Sequence, residues 1–102
     1  MAKLLVLYGA PKDAAAFDAH YFDKHVPLAN TIPGLRKYEV SHGPVGTPGG
    51  PAPYHLIATL TFDDTAAIQA AFASPEGLAA AADVQAFATG RVDMLIFETR
   101  EV

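Results

Sequence analysis

An α+β fold with a four-stranded antiparallel sheet is predicted by three features of the sequence. Short apolar runs lie near both ends, at Leu4 to Tyr8 and Val92 to Phe97; Tyr54 to Phe62 alternates strictly; and helical spacing follows the first and third of these strands. With a further strand at Leu35 to His42, the order is strand, helix, strand, strand, helix, strand, with an extra helix before the last strand. That is the split β-α-β, ferredoxin-like βαββαβ pattern, which carries both helices on one face of the sheet. The 102 residues are expected to form one domain spanning 1–102.

Each element has its own signal. Leu4 to Tyr8 is bounded by Lys3 and the Gly9-Ala10-Pro11 break, and its apolar residues on both sides of the alternation predict a strand covered on both faces. Asp13 is a candidate N-cap for a helix from Ala14 to Val26. At about 100° per residue, Phe17, Tyr21 and His25 share one stripe, which Leu28 would extend if the helix continued. Pro27 is expected to stop it, pushing Val26 out of helical angles and leaving His25 in the last turn.

After Ile32-Pro33-Gly34, the strand Leu35 to His42 places Arg36, Tyr38, Val40 and His42 on one side and Lys37, Glu39 and Ser41 on the other, the pattern of an edge strand. Gly43 to Pro53, with four glycines and four prolines, reads as a loop. In Tyr54 to Phe62, Tyr54, Leu56, Ala58, Leu60 and Phe62 face one way. Asp63 and Asp64 compete to cap a helix carrying Ile68 and Phe72. Ser74-Pro75 starts the next, an alanine-rich helix from Glu76 to Ala88 with a break expected near Asp83 and Gly90 as its C′ stop.

Composition narrows the partners. At 51 % hydrophobic and 18 % charged residues, the chain holds more apolar material than a domain of this size buries alone. Strands apolar on both sides leave one sheet face bare, so a second copy supplying a matching sheet, a homodimer, is expected. A net charge of −4 and seven scattered Lys and Arg residues argue against nucleic acid and against an anionic membrane surface. The opening apolar run is too short for a signal peptide and no stretch reaches membrane-spanning length, so a cytoplasmic location is expected. There is no cysteine for a disulfide, thiolate nucleophile or zinc-thiolate site.

Elimination shapes the chemistry too. His20 and His25 stand about 140° apart around an α-helix, so no metal site is expected there. His42 and His55 bracket the glycine-proline loop, either approaching each other or solvated. The loop's prolines lack the N–H groups of a phosphate cradle, no Gly-x-Ser-x-Gly elbow is present, and Asp93 and Glu98 are isolated. What remains is Tyr21, His25, Tyr38 and Tyr8, with Phe17 and Leu28 on the same stripe as apolar substrate contacts. His25 is either a capping residue or a proton-transfer group with Tyr21 as its hydrogen-bonding neighbour.

The run Tyr21-x-x-x-His25-x-Pro27-Leu28, the Pro33-Gly34-Leu35 strand entry and the Ser74-Pro75-Glu76-Gly77 helix start resemble the EthD family, named for ethyl tert-butyl ether degradation, across nearly the whole chain. The resemblance implies a dimeric α+β barrel, in which two ferredoxin-like subunits pack their sheets together. It also implies kinship with cofactor-free monooxygenases, muconolactone isomerases, polyketide cyclases and haem-handling enzymes, and with a protein tied to a cytochrome P450 degradation system. On that footing the chain is expected to be a small-molecule catabolic protein, a cofactor-independent enzyme of isomerase, dehydratase or monooxygenase type. His25 would act as acid or base, and Tyr21 and Tyr38 would orient an apolar or aromatic substrate. The alternative is a non-catalytic accessory that binds a hydrophobic small molecule or supports an oxygenase system.

Overall fold

Period-two alternation in the longest strands decides how the sheet is filled. In the computed structural model, which describes residues 1–102, the elements are β1 (Ala2–Tyr8), α1 (Ala14–His20), a π-helical turn (Tyr21–His25), α2 (Val26–Ala29), β2 (Lys37–Val40), β3 (Gly46–Thr47), β4 (Gly50–Pro51), β5 (Leu56–Phe62), α3 (Thr65–Ala73), α4 (Pro75–Phe87) and β6 (Val92–Glu98). The main sheet runs β2-β5-β1-β6 with every neighbour antiparallel, the ferredoxin-like arrangement. Strand β2 lies at an edge, as its half-wet pattern predicts, and the glycine-proline segment folds on itself as the small β3-β4 ribbon.

Leu4 pairs with Leu60 and Ile96, and Val6 with Ala58 and Met94, so these residues share the face beneath the helices with Ala2 and Tyr8. Leu5 and Leu7 turn to the opposite face, in register with Leu95 and Asp93. No element of this chain covers that face. On β6, the other edge strand, Leu95 and Phe97 of that face are 52 % and 41 % exposed, and Met94 and Ile96 on the helix side are 50 % and 56 % exposed.

The helix starts follow their caps. Asp13 accepts from the Ala16 N–H at 3.0 Å, Asp64 from Ala67 at 2.7 Å, and Ser74 Oγ from Gly77 at 3.1 Å. Asp63 is left free of capping duty and takes a two-point ion pair with Arg36 at 3.0 and 2.9 Å.

Three expectations need correction. The first helix does not end at Pro27. Val26 keeps helical angles (φ −59°, ψ −49°), and its N–H reaches back five residues to the Tyr21 carbonyl. A proline cannot donate to the i→i−4 ladder, but widening the preceding turn to i→i−5 lets the helix pass it, with Pro27 in the first turn of α2. Nor is α4 broken at Asp83; it runs for 13 residues.

Gly90 is not a left-handed C′ residue either, because Ala88 already leaves the helix in extended geometry and the positive-φ glycines are 34, 43 and 50. Gly90 is needed for a different reason: a Cβ there would lie 2.4 Å from the Ala10 carbonyl oxygen. Gly77 is tighter still, its Cβ position being 2.0 Å from the Ala71 oxygen where α4 starts against the end of α3. Backbone cannot step aside as a side chain can, so Gly77→Ala is expected to lose about 2 kcal/mol or more, read from the urea midpoint at unchanged slope.

Candidate active site

The helices lie over the sheet but do not fill the space against it. A cavity of about 320 Å³ is left between them, lined by 18 residues, 16 of them hydrophobic. Its floor is Leu4, Val6 and Tyr8 of β1, Ala58 and Leu60 of β5, and Tyr38 of β2. Its roof is Tyr21 and His25 of the π-helical turn, Ala29, Ile32, Ile68, Ala80 and Val84. Gln69, Ala81, Met94 and Ile96 are also lining residues and are exposed, so they mark the mouth.

The polar groups gather on one wall. Tyr21 and Tyr38 join hydroxyl to hydroxyl at 2.6 Å, tying the helical roof to the edge strand. Tyr21 therefore does not serve as the hydrogen-bonding neighbour of His25, although their rings lie 5.2 Å apart. His25 is no helix cap either, since its Nδ1 bonds Asp83 Oδ2 of α4 at 2.9 Å, leaving Nε2 as the ring nitrogen available to the cavity. The other carboxylate oxygen, Oδ1, is bonded by His20 Nε2, also at 2.9 Å.

The π-helical turn makes this double contact possible. In an α-helix the two histidines would diverge by about 140°, but an i→i+5 ladder brings residues five apart onto nearly the same face.

Electrostatics sort the wall into roles. Burial pushes Tyr8 and Tyr21 far above the ordinary phenol value, with Tyr38 adding to the effect. Burial also raises Tyr38, against the opposing hydrogen bond from Tyr21. All three hydroxyls stay protonated at neutral pH. Burial pushes His25 below the ordinary imidazole value, only partly countered by the Asp83 hydrogen bond and charge. For Asp83, partial burial works upward, but the hydrogen bonds from His20 and His25 together outweigh it and hold the carboxyl below its usual range.

Of the residues singled out from sequence, Tyr8, Tyr21, His25 and Tyr38 meet at the cavity, whereas Phe17 and Leu28 do not line it. Phe17 stacks behind Tyr21 with ring centroids 5.7 Å apart and packs edge-on against Tyr8 at 5.3 Å, so it supports the wall from the core. The widened turn carries Leu28 off the stripe, and Ala29 and Ile32 line the cavity from that part of the chain. His55 is neither merely solvated nor paired with His42: it bonds Asp18 at 2.7 Å and lies edge-on to Phe17.

Asp83 is the residue that sequence reasoning missed, and a signal was present. Ala80, Asp83, Val84 and Phe87 follow i, i+3, i+4, i+7, the spacing of a buried stripe, and a carboxylate on such a stripe needs donors from elsewhere in the fold.

Ferredoxin-like topology with an apolar cavity between sheet and helices defines a class of small α+β proteins. Residues 10–91 match the EthD domain family, and the chain belongs to that family. It is 41 % identical, over all 102 residues and 98 % of the relative, to an uncharacterised 11.0 kDa protein from the thcB-thcC intergenic region of Rhodococcus erythropolis. It is 39 % identical to an EthD family protein of Bacillus halodurans, whose crystal structure superposes with a TM-score of 0.89 over 98 % of this chain and 99 % of that one. SnoaB, a cofactor-independent oxygenase from Streptomyces nogalater, shares the fold at a TM-score of 0.70 and 16 % identity, over 99 % of this chain and 94 % of that one. No helix is long and apolar enough to cross a membrane.

The lowered values of His25 and Asp83 set the pH dependence of stability. Where the unfolded chain takes up protons that the folded chain resists, stability rises with pH. Stability is therefore expected to be full between the ordinary histidine value of 6.5 and the ordinary phenol value of 10.0, to fall on acidification below 6.5 as His25 resists protonation and again below the ordinary Asp value of 3.8, and to fall above 10.0 as the buried tyrosines resist ionisation. His25→Asn, whose Nδ2 can replace Nδ1 as donor to Asp83, should flatten the upper part of this slope in urea titrations run from pH 8 to pH 4.

Proposed function

We propose that this EthD-family chain is a cofactor-independent enzyme of small-molecule metabolism that performs proton transfer on a neutral, largely apolar substrate. The observation that carries the reading is the Asp83–His25 pair, whose Nδ1 contact at 2.9 Å leaves Nε2 to the cavity beside three protonated tyrosines. In this reading Nε2 takes a proton from a carbon next to a carbonyl, the C–H electron pair forms a C=C bond to the carbonyl carbon, and the C=O π pair moves onto the oxygen. A tyrosine hydroxyl donates to that oxygen. The imidazolium so formed keeps its Nδ1–H on the Asp83 carboxylate, and returning the proton at another carbon or at a departing hydroxyl completes an isomerisation or a dehydration.

Charge supports the choice of substrate. No Lys or Arg lines the cavity, and the carboxylate of Asp83 stands behind His25, so an anionic substrate would meet no counter-ion. The name of one fold relative, a cofactor-independent oxygenase, is compatible with chemistry that needs no bound group.

The bare sheet face belongs to the same proposal. Leu5, Leu7, Leu95 and Phe97 share it, and a second copy laid on it would bury them and form the homodimer. Phe97→Asp is expected to shift the protein from dimer to monomer in sedimentation at micromolar concentration, and a monomeric wild type would refute the dimer.

The catalytic reading is tested by titrating neutral aromatic and lactone-like compounds against wild type and His25→Asn in parallel. Expected is binding by both, with turnover lowered about 100-fold or more in the variant. Binding without turnover in either protein would overturn the catalytic reading and favour a non-catalytic carrier or an accessory of an oxygenase system.

A further inference from the structure

His20 is the part of the Asp83 cluster that the proposed chemistry leaves unused. A carboxylate only accepts hydrogen bonds, so both imidazoles must donate to it: His25 through Nδ1–H to Oδ2, and His20 through Nε2–H to Oδ1. Each oxygen has its own donor, which prevents the carboxylate from swinging away from the cavity histidine. The three groups also form a gradient toward solvent, with side chains 8 % exposed at His25, 17 % at Asp83 and 30 % at His20.

We propose that His20, Asp83 and His25 work as one unit in which His20, a positioning residue on the solvent side, orients the shared carboxylate and governs how readily His25 takes a proton in the cavity. One carboxylate can neutralise one imidazolium. His20 is the member nearest solvent, and a positive charge on it would compensate the negative charge that supports protonation of His25.

The surroundings leave this coupling to the unit itself. Phe87 of α4 packs against both imidazoles, at 5.1 Å from His20 and 4.9 Å from His25. Tyr21 lies 5.2 Å from His25, and the sheet contributes Tyr8 and Tyr38 across the cavity, both protonated. The remaining charged group of α4, Glu76, is seven residues from Asp83, and α2 holds no titratable residue. On the π-helical turn itself, Asp23 and Lys24 are exposed. Asp83 and His20 are the charged or chargeable groups that shift His25, Asp83 upward and His20 downward.

The coupling stands on the two hydrogen bonds to Asp83, whereas its catalytic consequence rests on the function proposed above. The test separates the two by following the imidazole resonances of the ligand-free protein by NMR across pH in wild type, His20→Gln and Asp83→Asn. The glutamine amide can reach Oδ1 in place of Nε2–H but takes no proton. Expected in wild type are the Nδ1–H tautomer at His25, the Nε2–H tautomer at His20, and a second inflection of His25 at the His20 midpoint. In His20→Gln that inflection should vanish and the His25 midpoint should move up; in Asp83→Asn the midpoint should move down.

A His25 titration indifferent to His20→Gln in a folded protein would overturn the proposal. Where a substrate is turned over, the acid limb of kcat/KM should move with the His25 midpoint in His20→Gln. A limb that stays in place while the NMR midpoint moves would overturn the governing role of His20 in catalysis. Absence of turnover in wild type would instead refute the catalytic reading, with the NMR experiment still deciding the coupling.

Discussion

A carboxylate placed on the inward stripe of a helix must be met by donors, and much of the site follows from how this chain meets Asp83. Two imidazoles from one helical run reach it, and they can do so because that run is wound with a π-helical turn between them. Removing either contact would leave an under-satisfied oxygen at a partly buried position, which costs more than the hydrogen bond itself contributes. The same contacts join α4 to the first helical segment over the cavity and select the nitrogen that His25 offers to it.

The cavity and the bare sheet face together account for the unusual composition. A chain of 102 residues with half of its side chains apolar would be expected to close a dense core, yet here some of that surface lines an internal space and some lies on the open side of the sheet. Apolar surface is more plentiful than the chain's own packing can use. The Tyr21–Tyr38 bond has a particular place in this economy, because it fixes edge strand β2 to the roof at the polar end of an otherwise apolar space.

Much of the fold was legible because local rules and tertiary demands agree. The alternation at Leu56, Ala58, Leu60 and Phe62 marks the buried face of β5, and Asp13 and Ser74 cap the helices they precede. The stripe Phe17, Tyr21, His25 is buried as its spacing predicts. The departures around the first helix share one cause. Pro27 stops a helix only where the turns before it keep α-helical geometry, and the wider turn changes the end of the helix, the direction of Leu28 and the relation between His20 and His25 in one step. Asp83 was hidden for a complementary reason: its partners lie 58 and 63 positions away, and no local propensity reports a contact at that separation.

A π-helical turn is what a helix becomes when it absorbs one additional residue without forming a loop. The pairing of two histidines on one carboxylate is therefore written partly in the count of residues between positions 20 and 26, and not only in which residues they are. A chain one residue shorter in that interval could keep every side chain of the cluster and still present the second imidazole to a different neighbour. Among relatives, the spacing of this segment would then be as informative about the chemistry as the identity of the histidines themselves.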